Sequence, residues 1–158
     1  MMGACVSSVL QVLLYKYRIV VPCSINRATM NLTDMFSKKA KVLVVEDDVR
    51  LRGALREEFE LRNYRVLEAG DSREVLSLVA AEKPDAMVLD LILPLKDGIS
   101  LLEELRATGY EAPVVILSNL LGSDSLRSDA DRLDAVFYNK TATSLTEIVD
   151  AVGQQLSH

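Results

Sequence analysis

From Lys41 onward the chain alternates short apolar runs with amphipathic stretches, five times over, and no other feature narrows its fold as much. Val42-Leu43-Val44-Val45 is rich in β-branched residues and shows no polar alternation, the pattern of a strand buried on both faces. Asp48 can cap a helix from Val49 to about Arg62, with Leu51, Leu55 and Phe59 at four-residue spacing on its buried stripe. Tyr64 to Ala69 reads as a second, weaker strand. Asp71 with Glu74 three residues on resembles a capping box and opens a helix that runs through about Glu82, where Lys83-Pro84 stops it. Val75, Leu78 and Val79 form its inward face. Ala86-Met87-Val88-Leu89 is the third strand. A loop through Pro94 and Gly98 leads to a helix ending near Ala107, with Leu101, Leu102 and Leu105 apolar. Pro113 opens the fourth strand, Val114 to Leu117, and the polar, weakly helical stretch Ser123 to Leu133 precedes the fifth, Ala135 to Tyr138. Ser144 and Glu147 form a capping box for a last helix carrying Leu145, Ile148, Val149, Val152 and Leu156 at helical period. Strand and helix in strict alternation imply a doubly wound α/β domain, a five-stranded parallel sheet with helices on both faces.

Charge and cysteine content exclude several functions. Residues 1–40 carry five basic residues and one acid, and residues 41–158 carry 13 and 22, a net charge of −9. Such an acidic domain is poorly suited to gripping nucleic-acid phosphates, so direct DNA binding is not expected. Cys5 and Cys23 make neither a disulfide framework nor a zinc pattern, which suits a reducing, cytoplasmic setting. The only histidine is the terminal His158, which excludes histidine-based metal sites and Ser-His or Cys-His catalysis.

Residues 1–40 read differently from the rest. Their apolar stretch from Val6 to Val21 is interrupted by Gln11, Lys16 and Arg18, short of the roughly 20 apolar residues of a membrane span. No charge precedes Lys16, as a secretory signal would require, and Pro22 before Cys23 argues against a lipid-attachment site. This segment is expected to lie outside the fold, with Met30 or Met35 as a natural start; a membrane-touching or partner-binding arm is the alternative.

In doubly wound sheets, chemistry gathers at the C-terminal ends of the strands. After the first strand stand Glu46, Asp47 and Asp48; the third ends in Asp90, the fourth in Ser118 and Asn119, the fifth in Asn139 and Lys140. Acids end strands and cap helices routinely, and Asp48 fits that role. The joint set asks for more. Two carboxylates about 4 Å apart repel by about 4 kcal/mol at a surface-like dielectric. Three in one crevice require a cation, and carboxylates with waters and a phosphate are the pattern of Mg²⁺. With Lys140 and Ser118 beside them, these are parts for phosphoryl transfer onto a carboxylate.

Residues 41–156 resemble the receiver domain of two-component response regulators, a flavodoxin-like fold with strand order 2-1-3-4-5. Asp90-Leu-Ile-Leu-Pro94-Leu-Lys-Asp97-Gly98 matches the phosphoacceptor loop, Glu46-Asp47 the acidic pair, Ser118 the hydroxyl position and Lys140 the lysine. The resemblance implies that Asp90 accepts a phosphoryl group from a phosphohistidine on a sensor histidine kinase or histidine phosphotransfer protein. It further implies Mg²⁺ held by Glu46, Asp47, Asp90 and the backbone carbonyl of Ile92, with Ser118 and Lys140 on the phosphoryl oxygens. Ser118 and Phe137 would form the switch that re-shapes a protein-binding face, the downstream target being unknown. The domain is then a phosphoacceptor and not an enzyme beyond its own phosphoryl transfer and dephosphorylation. The arrangement expected is a receiver over 41–158 with no output domain after it. A receiver-like adapter working without phosphorylation is the alternative, and a hydrolase is disfavoured by Ile92 standing where a general acid would be.

Three departures from the family pattern stand out. Thr141 replaces the proline that usually follows the lysine, so the bond before it is either trans with an altered loop or a strained cis bond. Asn119 replaces a small residue and narrows access to the site. Ile92 and Leu120 place apolar side chains where water would approach, so a phosphoryl group should be long-lived.

Overall fold

The computed structural model describes residues 39–119 and 124–157. Residues 1–38, and with them the expectations for the N-terminal segment apart from Lys39 and Ala40, lie outside the described residues, as does Leu120. Among the described residues ten elements alternate: β1 (Lys41–Val45), α1 (Val49–Leu61), β2 (Arg65–Ala69), α2 (Ser72–Glu82), β3 (Ala86–Leu89), α3 (Gly98–Ala107), β4 (Val114–Ser118), α4 (Asp124–Arg132), β5 (Ala135–Asn139) and α5 (Leu145–Leu156). The strands form one parallel sheet in the order β2-β1-β3-β4-β5, the order that the resemblance to receiver domains implies.

Strand periodicity explains how one sheet supports two cores. Successive side chains point to opposite faces. On β1, Leu43 and Val45 join Val75, Leu101, Leu102 and Leu105 beneath α2 and α3. Val42 and Val44 join Leu55, Phe59, Ile148, Val149 and Val152 beneath α1 and α5. The central strands β1, β3 and β4 are buried on both sides, which is why they read as unbroken apolar runs. The edge strand β2 is half exposed and correspondingly weaker in the sequence. Phe59 is fully buried and meets Tyr64 edge-to-face, with ring centroids 5.6 Å apart.

Local caps set the helix starts. Asp48 accepts from the Arg50 and Leu51 amides, Asp71 from those of Arg73 and Glu74, and Asp97 from that of Ser100. Ser144 and Glu147 form the full reciprocal box. At α2 the box is altered: Glu74 reaches the Gly70 amide at 2.6 Å, one residue before the cap. At the opposite end of the sheet, Arg106 donates to the carbonyls of Tyr110, Ala112, Leu133 and Asp134, tying the end of α3 to the turn between α4 and β5. Among the described residues no helix is long and apolar enough to cross a membrane.

Candidate functional site

Parallel pairing of β1 with β3 puts Val45 opposite Leu89, and the Asp90 amide donates to the Val45 carbonyl at 2.9 Å. The residues that follow these strands, Glu46 and Asp90, therefore emerge side by side. Both side chains are almost wholly buried, at 3% exposure, whereas Asp47 between β1 and the α1 cap is exposed. Carboxylate oxygens of Glu46, Asp47 and Asp90 all lie within 4.8 Å of one another. At that distance each ionised pair repels by about 3.5 kcal/mol at an effective dielectric of about 20.

Lys140, just past β5, supplies the answering charge. Its Nζ lies 2.6 Å from Glu46 Oε2 and 2.7 Å from Asp90 Oδ2. Its backbone amide donates to the Ser118 carbonyl at 3.1 Å, which anchors the lysine to the end of β4. Burial opposes the ammonium charge, but hydrogen bonds to Asp90 and Glu46 outweigh it and hold the Lys140 pKa above the ordinary lysine value. For Glu46, burial is the largest influence and raises its pKa; the hydrogen bond from Lys140 opposes that, and the nearby Asp90 charge adds to it. The other oxygen of Asp90 accepts from the Ile92 amide at 3.1 Å.

The loop after Asp90 closes on Gly98, whose amide donates to the Leu91 carbonyl at 2.9 Å. A Cβ at Gly98 would stand 2.6 Å from the Asp90 carbonyl oxygen and 2.8 Å from Leu91 Cα, so only glycine lets α3 start this close to the loop that follows Asp90. The loop after β5 is shaped by Asn139, whose Oδ1 accepts from the Thr141 and Ala142 amides at 2.9 and 3.2 Å. The bond before Thr141 is trans, which decides between the two alternatives the sequence left open.

These groups surround a cleft of about 320 Å³ whose walls include Glu46, Asp47, Asp90, Lys140, Asn119 and Ile92. Ile92 is 55% exposed at its mouth. Ser118 is fully buried at the end of β4, joined to Lys140 through backbone. Phe137, paired in register with Ile116, is half-buried against the core beneath α2 and α3 rather than at the cleft. The structure thus brings together Glu46, Asp47, Asp90, Ile92 and Lys140, with Ser118 adjoining through its backbone.

Sequence reasoning missed Arg52. Its guanidinium returns from the second turn of α1 to donate to the carbonyls of Glu46 and Asp47. In the sequence it is one arginine among several on a polar helix face, and only the tertiary position of β2 distinguishes it.

The donor set fits a small hard cation: three carboxylates supply oxygen ligands, and Lys140 engages only one oxygen each of Glu46 and Asp90.

A family model described as the response regulator receiver domain matches residues 42–152. Response regulator MprA of Mycolicibacterium vanbaalenii is 39% identical over 95 residues, covering 60% of this chain and 40% of its own length. The chain therefore spans about 40% of the length of the curated relatives it matches. The receiver domain of the Francisella response regulator 1452 superposes with a TM-score of 0.70 at 29% identity, over 75% of this chain and 98% of that one. A CheY-like receiver domain protein from Methanospirillum hungatei JF-1, 18% identical, shares the fold with a TM-score of 0.70 over 76% of this chain and 95% of that one. With strand order, acidic cluster and family match in agreement, the chain belongs to the response regulator receiver domain family of two-component systems.

Proposed function

We propose that this receiver carries a phosphoryl group on Asp90 and signals by a change in its protein-binding face. The observation that supports this most is the convergence of Glu46, Asp47, Asp90 and Lys140 on one cleft at the strand ends. In the proposed step, an Asp90 carboxylate oxygen attacks phosphorus on a phosphohistidine of a sensor histidine kinase or histidine phosphotransfer protein. The O–P bond forms as the N–P bond breaks, and the electron pair of the broken bond returns to the donor imidazole. Lys140, held between Glu46 and Asp90, stands ready to follow the incoming oxygens. Ser118, buried at the end of β4, would supply a hydroxyl to the same oxygens, and Phe137 would respond on β5. Glu46, Asp47, Asp90 and the Ile92 carbonyl would hold Mg²⁺, which when bound offsets the charge gathered on carboxylates and phosphoryl group.

On this reading residues 41–158 are the receiver and residues 1–40 stand outside it. The partners are a phosphohistidine donor and a downstream protein in the cytoplasm. Direct DNA contact by the receiver is not proposed, because its net charge of −9 opposes phosphate binding. Its chemistry is confined to its own phosphorylation and dephosphorylation. The test is incubation with a small acyl phosphate and Mg²⁺, followed by intact mass. The native protein should gain one phosphoryl group and Asp90→Asn none. Equal modification of both would refute Asp90, and no modification of either would favour an adapter working without phosphorylation.

A further inference from the structure

We infer that Arg52 is a positioning residue for the metal-binding pair, setting the affinity of the cleft for a divalent cation by pinning the backbone that carries Asp47; this rests on the reading of the acidic cluster as a Mg²⁺ site. Among the described residues, Glu46 is held through its carboxylate by Lys140, and Asp90 by Lys140 and the Ile92 amide. The Asp47 side chain has no such hold, so its placement depends on the peptide units on either side of it. Arg52 grips both of these, donating through one nitrogen to the Glu46 carbonyl and, at 3.4 Å, to the Asp47 carbonyl.

The guanidinium is itself fixed from the other side. Its Nε lies 3.5 Å from Glu68 Oε1 on β2, and the second oxygen of Glu68 accepts from Arg56 at 3.1 Å, one helical turn further along α1. Gly70 leaves room for it: a Cβ there would already lie 3.4 Å from the Arg52 Nη1. The Arg52 side chain is only 18% exposed. A planar fork held at both edges fixes direction in a way a lysine ammonium does not.

Charge and positioning predict opposite signs, which makes the inference testable. Removing a cation near the cleft should tighten Mg²⁺ binding if Arg52 acts by charge alone. Loosening the Asp47 backbone should weaken it, by about tenfold for loss of a supporting contact of this kind. The experiment is a titration of the metal-free protein with Mg²⁺, followed by backbone amide NMR shifts at Asp47 and Asp90, for native protein, Arg52→Lys and Arg52→Gln, with urea unfolding of each. Weaker binding by about tenfold in both variants, Lys included, supports positioning. Unchanged affinity, or tighter binding in Arg52→Gln with Arg52→Lys unaltered, overturns it. Should either variant fail to fold, Glu68→Ala, which leaves α1 intact and releases one edge of the fork, must show a smaller loss in the same direction; native affinity there overturns the inference. A native protein that binds no Mg²⁺ overturns the metal-site reading itself, whereas normal native binding with unaffected variants removes only the role of Arg52.

Discussion

Replacing Gly98 by alanine isolates how closely the loop after Asp90 is fitted to α3. The added Cβ would lie 2.6 Å from the Asp90 carbonyl oxygen and 2.8 Å from Leu91 Cα, whereas relaxed carbon contacts sit at about 3.5–4.0 Å. Both obstacles are backbone of the loop that carries Asp90, so neither can rotate away. Overpacking costs about 1–3 kcal/mol, and rigid partners place this site at the upper end. Alanine returns at most about 1 kcal/mol through helix propensity and a less flexible unfolded chain. The net expectation is a loss of about 2 kcal/mol. Gly53 provides the control, since it lies inside α1 with nothing within 4 Å of its added Cβ. Gly53→Ala should therefore stabilise by about 1 kcal/mol. Urea unfolding measures the difference: with a slope of about 1.5 kcal/mol/M, the two midpoints should stand about 2 M apart. Gly98→Ala should also slow phosphoryl loading, because the clash is relieved only by moving Asp90 or α3. Two alanine variants of equal stability would refute the reasoning, since the difference between them comes from the crowding at Gly98 alone.

Three further outcomes follow from the site and its rim. Lys140→Met leaves the buried carboxylates of Glu46 and Asp90 without their cation and should cost about 3–5 kcal/mol at neutral pH. Because the Lys140 pKa is raised, its contribution is present in full below the ordinary value of 10.5 and lost as pH rises through the folded value. Glu46, whose pKa is raised chiefly by burial, gives up its charge at a higher pH than an ordinary glutamate, so the deficit of the variant should shrink as pH falls toward 4.5; urea midpoints across pH check both limbs, and a deficit constant from acid to alkali contradicts them. Ile92→Asn exchanges the exposed apolar side chain at the cleft mouth for one that can hold water, and the phosphorylated half-life should shorten; an unchanged half-life removes Ile92 from water exclusion. Leu95 has φ of 75° and is 65% exposed, so Leu95→Asn should relieve about 1 kcal/mol of left-handed strain with little burial lost, seen as a raised Tm; a lowered Tm contradicts this.

What could be read from the sequence depended on how local its cause was. The buried strands β1, β3 and β4 were visible as apolar runs because both of their faces are covered. The caps Asp48, Asp71 and Ser144 were visible because a cap is made within three residues of itself. The candidate site residues are legible because parallel topology brings the strand ends to one side of the sheet, so Glu46, Asp90 and Lys140 can be grouped from the sequence. The pairing of one ammonium with two buried carboxylates was not visible, because it depends on side-chain reach across three strands. The Arg52–Glu68–Arg56 chain and the four carbonyls on Arg106 were hidden for the same reason: an arginine on a helix looks alike whether it faces water or a neighbouring loop. At Thr141 the sequence posed a question that the Asn139 turn answers with a trans bond.

The most direct measurement concerns the chemical identity of the acceptor. Phosphorylated protein is reduced with borohydride, which converts an acyl phosphate on aspartate to homoserine, and the modified peptide is sequenced by mass spectrometry. Conversion should fall on Asp90, require Mg²⁺ during loading and vanish in Asp90→Asn. Homoserine at Asp47 or elsewhere, or a phosphoryl group that resists borohydride, would contradict a receiver built around Asp90.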